Sequence, residues 1–189
     1  MIIRKASEAD AMAITSYILL AMGDIIYHLI GENDADEARA CMYHLVSSSD
    51  NQYAYENCWV AEEDHHIIAA ACVYDGAKIT ELRTPVLEYL KKTYHHVPVL
   101  GEETQKGEFY LDCLGVDLTL QGKGIGSKML QFLIDEYVVR QKQTLGLLVD
   151  KENPNAKRLY LKSGFEVVGH KNFAGKKMEH LQIAGKALS

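Results

Sequence analysis

A chain of 189 residues with 48% hydrophobic content suits a single globular domain, residues 1–189, with a full-sized core. A net charge of −6 argues against a nucleic-acid platform. No apolar run approaches the ~20 residues needed to span a bilayer, and Met1-Ile2-Ile3-Arg4 lacks a signal-peptide layout, so a cytoplasmic protein without membrane contact is expected.

The charge is uneven along the chain. Residues 1–106 carry 17 acids and 8 bases, whereas residues 107–189 carry 9 acids and 12 bases. A positive second part favours capture of an anionic ligand, and a negative first part favours a cationic one. The four cysteines, Cys41, Cys58, Cys72 and Cys113, have no CxxC spacing, which predicts buried free thiols and no metal site.

In chain order, Met1–Ala6 reads as a short strand. Ser7 suits a helix N-cap, with Glu8 and Asp10 in the first turn and Ala11, Ile14, Ile18 and Leu19 on the apolar face. Residues 21–31 are either a second helical turn or a packed loop. Residues 34–46 place Ala35, Ala38, Met42 and Leu45 at helical spacing. Strands follow over residues 58–62 and 67–73, joined by the polar turn Glu63-Asp64-His65-His66, whose histidines have no third ligand at a useful spacing. Residues 74–106 form an inserted helical and loop segment. In it Pro85 is expected to open a helix that closes near Lys91 and Lys92, before a loop that ends in Glu102 and Glu103.

The stretch Gly107–Ser127 carries the chemistry. Phe109 to Val116 is an apolar, aromatic-rich strand, and after a turn Gly122, Gly124 and Gly126 stand at the threshold of a helix. Glycines admit a ligand close to the backbone, and the first helical amides bind phosphate oxygens. The spacing fits neither a P-loop nor the GxGxxG dinucleotide fingerprint, since Lys123 is followed by Gly124 and Ser127 stands where the last glycine should be. A glycine-rich turn with no ligand is the alternative.

Downstream, Ile125, Met129, Phe132, Leu133 and Tyr137 give the helix a buried face, and Thr144–Val149 is a near-continuous apolar strand. Strand, helix and strand imply a parallel crossover. Asn153 then caps a short helix with Pro154 at its first position and Gly164 as its stop; strands over residues 165–169 and 176–183 finish the chain as a hairpin.

Gln121-Gly122-Lys123-Gly124-Ile125-Gly126, after Leu114-Gly115-Val116, resembles the acetyl-CoA-binding motif of the GNAT acyltransferase superfamily. The segment NPNAKRLYLKSGF, with Asn153, Ala156, Leu159, Tyr160, Gly164 and Phe165, resembles that family's Asn-x-x-Ala-x-x-Leu-Tyr-x-x-x-Gly-Phe element. Two motifs in the right order and separation identify the chain as a member, and Tyr74–Gly76 with Gly146–Lys157 resemble stretches of a bacterial subgroup.

The resemblance implies a mixed α/β (α+β) GNAT fold. Its central sheet is largely antiparallel, with a parallel crossover from the fourth strand through a helix to the fifth, and helices flank it. It implies acetyl transfer from acetyl-CoA to a primary amine by direct attack in a ternary complex, with no metal. Cofactor binding falls to Leu114, Gly115, Val116, Gln121, Gly122, Lys123, Gly124, Ile125, Gly126, Ser127, Asn153, Ala156 and Tyr160. Tyr160 is the implied proton donor to the departing thiolate, a backbone N–H near Leu114–Val116 the oxyanion donor, and a bulge with strand divergence the slot for pantetheine.

The base departs from the family pattern. The positions where relatives carry glutamate hold Leu148 and Tyr110. Asp112 and Glu108 lie on the same side of the strand as Tyr110 by alternation, and are the candidates, Asp112 preferred. A small-molecule amine is the favoured acceptor; a protein N-terminus or lysine comes second, and a CoA-binding module without turnover is the reading from another class. The final hairpin offers an edge for a homodimer.

Overall fold

Strand β3 (His66–Asp75) shows why this sequence makes a two-sided sheet. Ala70, Cys72 and Tyr74 point to one core and Ala69, Ala71 and Val73 to the other, so both faces are apolar and both must be covered. In the computed structural model, which describes residues 1–185, β3 lies inside a seven-stranded sheet of order β1-β2-β3-β4-β5-β7-β6. The strands are β1 (Ile2–Lys5), β2 (Cys58–Glu63), β4 (Phe109–Val116), β5 (Thr144–Asp150), β6 (Glu166–Phe173) and β7 (Lys176–Ala184). Every neighbouring pair is antiparallel except β4 and β5. The mixed α/β GNAT architecture expected from the sequence is present.

Helices α1 (Ala11–Met22), α2 (Ile25–Ile30), α3 (Ala35–Ser47) and α4 (Ile79–Tyr94) cover one face, burying Ile14, Ile18, Leu29, Met42 and Leu90. Helix α5 (Ile125–Leu133) covers the other through Ile125, Met129, Leu130 and Leu133. It continues as a π-helical stretch, Ile134–Arg140, in which Tyr137 is buried and accepts a hydrogen bond from Trp59 at 3.0 Å. Helix α6 (Pro154–Lys162) begins as its sequence requires, the Asn153 side chain accepting from the Ala156 N–H at 3.1 Å.

One open alternative is decided and three expectations change in detail. Residues 25–30 are helical, the first of the two readings, with Gly23 breaking the chain between α1 and α2. Helix α4 opens at Ile79, not at Pro85. Asp75 accepts from the Ala77 N–H and starts a turn that runs straight into the helix, leaving Pro85 in the interior. Tyr74 and Asp75 therefore belong to β3, and the inserted segment starts at Gly76. Strand β6 reaches Phe173 because it pairs with β7 along its length, and Ala174 and Gly175 turn the hairpin at positive φ. All four cysteines are buried and free.

Candidate active site

Parallel pairing between β4 and β5 lasts three residue pairs, from Phe109↔Leu145 to Leu111↔Leu147. Beyond them the strands part. Against β3, Cys113 faces Cys72 while Leu111 faces Val73, so Asp112 is the extra residue of a bulge. The bulge bends β4 away, and its edge from Asp112 to Val116 is left without a ladder partner on the β5 side. A cavity of about 630 Å³ opens there, lined by Leu114 of β4, Leu148 and Val149 of β5, and Ala156 and Tyr160 of α6.

The glycine loop lies beyond the β4 end of this slot. Gly122 and Gly124 have φ of 79° and 80°, a conformation other residues resist, and the open space around both leaves them room for a ligand. Gly124 caps α5 without any side-chain hydrogen bond, and the first intrahelical bond is Lys128 N–H to Gly124 O. The amides of Gly124, Ile125, Gly126 and Ser127 therefore have no partner among the described residues. Gln121, Lys123 and Ser127 are exposed around them, and Gly126 sits under Val116 at ordinary contact distance. This is a pre-formed anion cradle at the positive end of a helix, and it fits a pyrophosphate. Gly115 has a separate reason to be glycine, since a Cβ there would run into the Tyr17 carbonyl oxygen of α1.

Tyr160 projects from α6 on the same face as Asn153 and Ala156, and all three line the cavity. Burial, with the nearby Cys113, pushes its pKa up to about 12, so the phenol keeps its proton at neutral pH. Its hydroxyl makes no hydrogen bond among the described residues, and its ring is held edge-on against Phe165.

The far wall of the cavity is acidic. Asp112 accepts from the Tyr74 hydroxyl at 2.7 Å and the Gln52 amide at 3.1 Å. The same amide donates to Glu103 at 3.3 Å, and Glu103 pairs with the Arg83 guanidinium of α4. Burial raises the pKa of both carboxylic acids; the Asp112 charge adds to the rise at Glu103 and Arg83 opposes it. Tyr110 and Leu148 also line the cavity, so the two positions at which the resemblance suggested a glutamate bring no carboxylate to it.

Glu108 shares the sheet face of Tyr110 and Asp112, yet the structure does not bring it to the cavity. Its carboxylate lies over Gly146, bonded to His180 at 2.8 Å, Gln182 at 2.6 Å and Thr104 at 2.8 Å. Burial favours its neutral form, but these donors outweigh burial and hold its pKa below the usual value. Glu103 is the site residue that the sequence did not single out. Its partners come from residues 52, 83 and 112, and no local spacing signals their meeting.

An anion cradle, a strand edge opened by a bulge and a half-buried tyrosine facing it are parts that an acyltransferase drawing its acyl group from CoA could use. The chain belongs to the acetyltransferase (GNAT) family, which matches residues 24–165, and is an acetyl-CoA-dependent N-acetyltransferase. It is 30% identical over 149 residues to the spermine/spermidine N(1)-acetyltransferase of Bacillus subtilis (strain 168), covering 76% of this chain and 91% of that protein. An acetyltransferase crystal structure shares 28% identity, with a TM-score of 0.80 over 98% of this chain and all (100%) of the other. An N-acetyltransferase from Staphylococcus aureus Mu50 superposes with a TM-score of 0.85 at 20% identity, covering 97% and 100% of the two chains. The fold is also that of yncA from Salmonella typhimurium, solved with its cofactor acetyl-CoA, at a TM-score of 0.56 and 20% identity over 100% and 96% of the chains.

Proposed function

We propose that this protein acetylates a primary amine of a small cationic acceptor, of the diamine or polyamine kind, by direct attack in a ternary complex. One observation carries the reading: two carboxylates, the buried Glu103 and the half-buried Asp112, share a cavity wall with each other and a cavity with Tyr160. Burying that much negative charge is costly unless a cation meets it, and a single guanidinium, Arg83, is the cation paired there. An ammonium group completes the balance. The name of the Bacillus subtilis relative points the same way.

Acetyl-CoA supplies the activated thioester. Its pyrophosphate is held by the amides of Gly124–Ser127, with Gln121, Gly122 and Lys123 around them, and its pantetheine lies along the open edge of Leu114, Gly115 and Val116. Asn153 spends its oxygen on capping α6, which leaves its amide nitrogen to face the cofactor with Ala156. A backbone N–H of β4 polarises the acyl oxygen, and Tyr160 donates the proton that the leaving sulfur needs. No cluster of three or more potential metal ligands occurs among the described residues, and none of these roles calls on a metal.

We read residues 1–189 as one domain working in the cytoplasm on a small molecule. The test is release of free thiol from acetyl-CoA across a panel of putrescine, spermidine, spermine, a lysine peptide and a peptide with a free N-terminus. Turnover with the diamine and polyamines is the expected result. Turnover with the peptides alone would assign the cavity to a protein acceptor, and acetyl-CoA binding without turnover on any amine would make the protein a binding module.

A further inference from the structure

We propose that Glu103 is the group that takes the proton from the incoming ammonium, with Asp112 as the fixed negative charge beside it and Arg83 as the counter-ion that tunes it. This rests on the amine-acetylation reading and deepens it. An amine with a pKa of about 10.4 arrives protonated at neutral pH and cannot attack until a base removes one proton.

Geometry separates Glu103 from Glu108 and Asp112. Glu108 is outside the cavity and held by His180, Gln182 and Thr104. Asp112 lines the cavity, but the Tyr74 hydroxyl donates to it at 2.7 Å and the Gln52 amide at 3.1 Å, which stabilises its charged form. Glu103 has one oxygen engaged by both Arg83 and Gln52, and no hydrogen bond to its other oxygen occurs among the described residues. It also lines two cavities: the acceptor site, and a second one of about 470 Å³ between α4 and the segment before β4, lined by Arg83, Thr84, Leu87 and Gln105. A carboxylate placed between them takes a proton from one side and releases it to the other while acceptor still fills the first.

The groups facing Glu103 are Arg83 on α4, Tyr53 in the segment before β2, Tyr74 on β3, and Tyr110, Asp112 and Cys113 on β4. Burial keeps the three tyrosines and the cysteine protonated. Charge at Glu103 is thus set by burial first and Asp112 second, both favouring its protonation, against Arg83, which disfavours it. In the proposed step an ammonium N–H bond breaks, its electron pair stays on nitrogen, and an O–H bond forms on Glu103. The neutral nitrogen then makes the C–N bond as the thioester C–S bond breaks. The second nitrogen proton replaces the one that Tyr160 gives to sulfur, and Glu103 returns its proton to solvent.

The experiment is the pH profile of kcat and kcat/KM for wild type, Glu103→Gln, Glu103→Asp, Asp112→Asn and Arg83→Gln, with spermidine as acceptor. Glu103→Gln is expected to lower kcat by about 100-fold or more and to abolish the acidic limb, while Glu103→Asp keeps the limb at reduced kcat. The limb should move to lower pH in Asp112→Asn and to higher pH in Arg83→Gln, displacements that loss of packing does not produce. Retention of the wild-type limb and kcat in Glu103→Gln overturns the assignment and leaves the acetyltransferase reading intact. Absence of wild-type thiol release with every amine overturns both. A thermal shift with acetyl-CoA in each variant shows that the cofactor site is folded, and a folded Glu103→Asp that loses the limb also counts against Glu103.

Discussion

Tyr160, half-buried and with its pKa pushed up to about 12, has a hydroxyl that makes no hydrogen bond among the described residues, as the proposed proton donor requires. Tyr160→Phe should therefore lower kcat on the order of 100-fold while acetyl-CoA affinity, measured by calorimetry, stays within about twofold. An equal loss in affinity would make the hydroxyl a binding group instead. This residue was legible in the sequence because its neighbours Asn153, Ala156 and Phe165 carry the motif with it. Glu103 was not, because its surroundings come from Gln52, Arg83 and Asp112, which are brought together only when the loop before β4 folds back. Glu108 illustrates the opposite case. Strand alternation places it on the correct face, but the three side chains that claim it come from residues 104, 180 and 182.

Among the elements, α1 packs closely on β4. Gly115 lets the Tyr17 turn of α1 sit on the strand, and the Tyr17 hydroxyl donates to the Ile67 carbonyl at 2.6 Å, so the helix is tied down beside the site. Gly115→Ala would force helix and strand apart, and urea denaturation should show a loss of about 1–3 kcal/mol. A stability equal to wild type would mean the helix shifts freely. Helix ends and turns were the readable parts of the elements: Asp34, Asn153 and Gly164 stand where caps and stops are required. The start of α4 was misplaced because Pro85 is a strong local signal, and the Asp75 cap with burial of Val86 and Leu90 outweighs it. The π-helical end of α5 left no trace in the apolar periodicity, since Tyr137 falls on the buried face in either geometry.

For the whole molecule, the sequence identified a sheet with one parallel crossover, and the sheet has it. What it did not disclose is how little joins the two halves. Strands β1 to β4 form one block and β5, β7 and β6 another, and three residue pairs between β4 and β5 hold the backbones together. The paired strip ends where Asp112 bulges, so the seam between these two leaves is closed at one end and open at the other, while a single apolar core under α5 packs against both. In the proposed mode of binding, a pantetheine arm lying in the gap would contact both leaves and act as the missing strand. The cofactor should then behave as a structural clasp as well as a reagent. At 100-fold excess over its Kd, acetyl-CoA should raise the unfolding free energy by about 2.7 kcal/mol and Tm by roughly 5–10 °C. Hydrogen exchange should slow at Asp112–Val116 and at Leu148–Asp150, on either side of the gap, with little change at Phe109–Leu111, where the ladder is already closed. Protection confined to the glycine loop would mean that the phosphates bind without the arm drawing the leaves together.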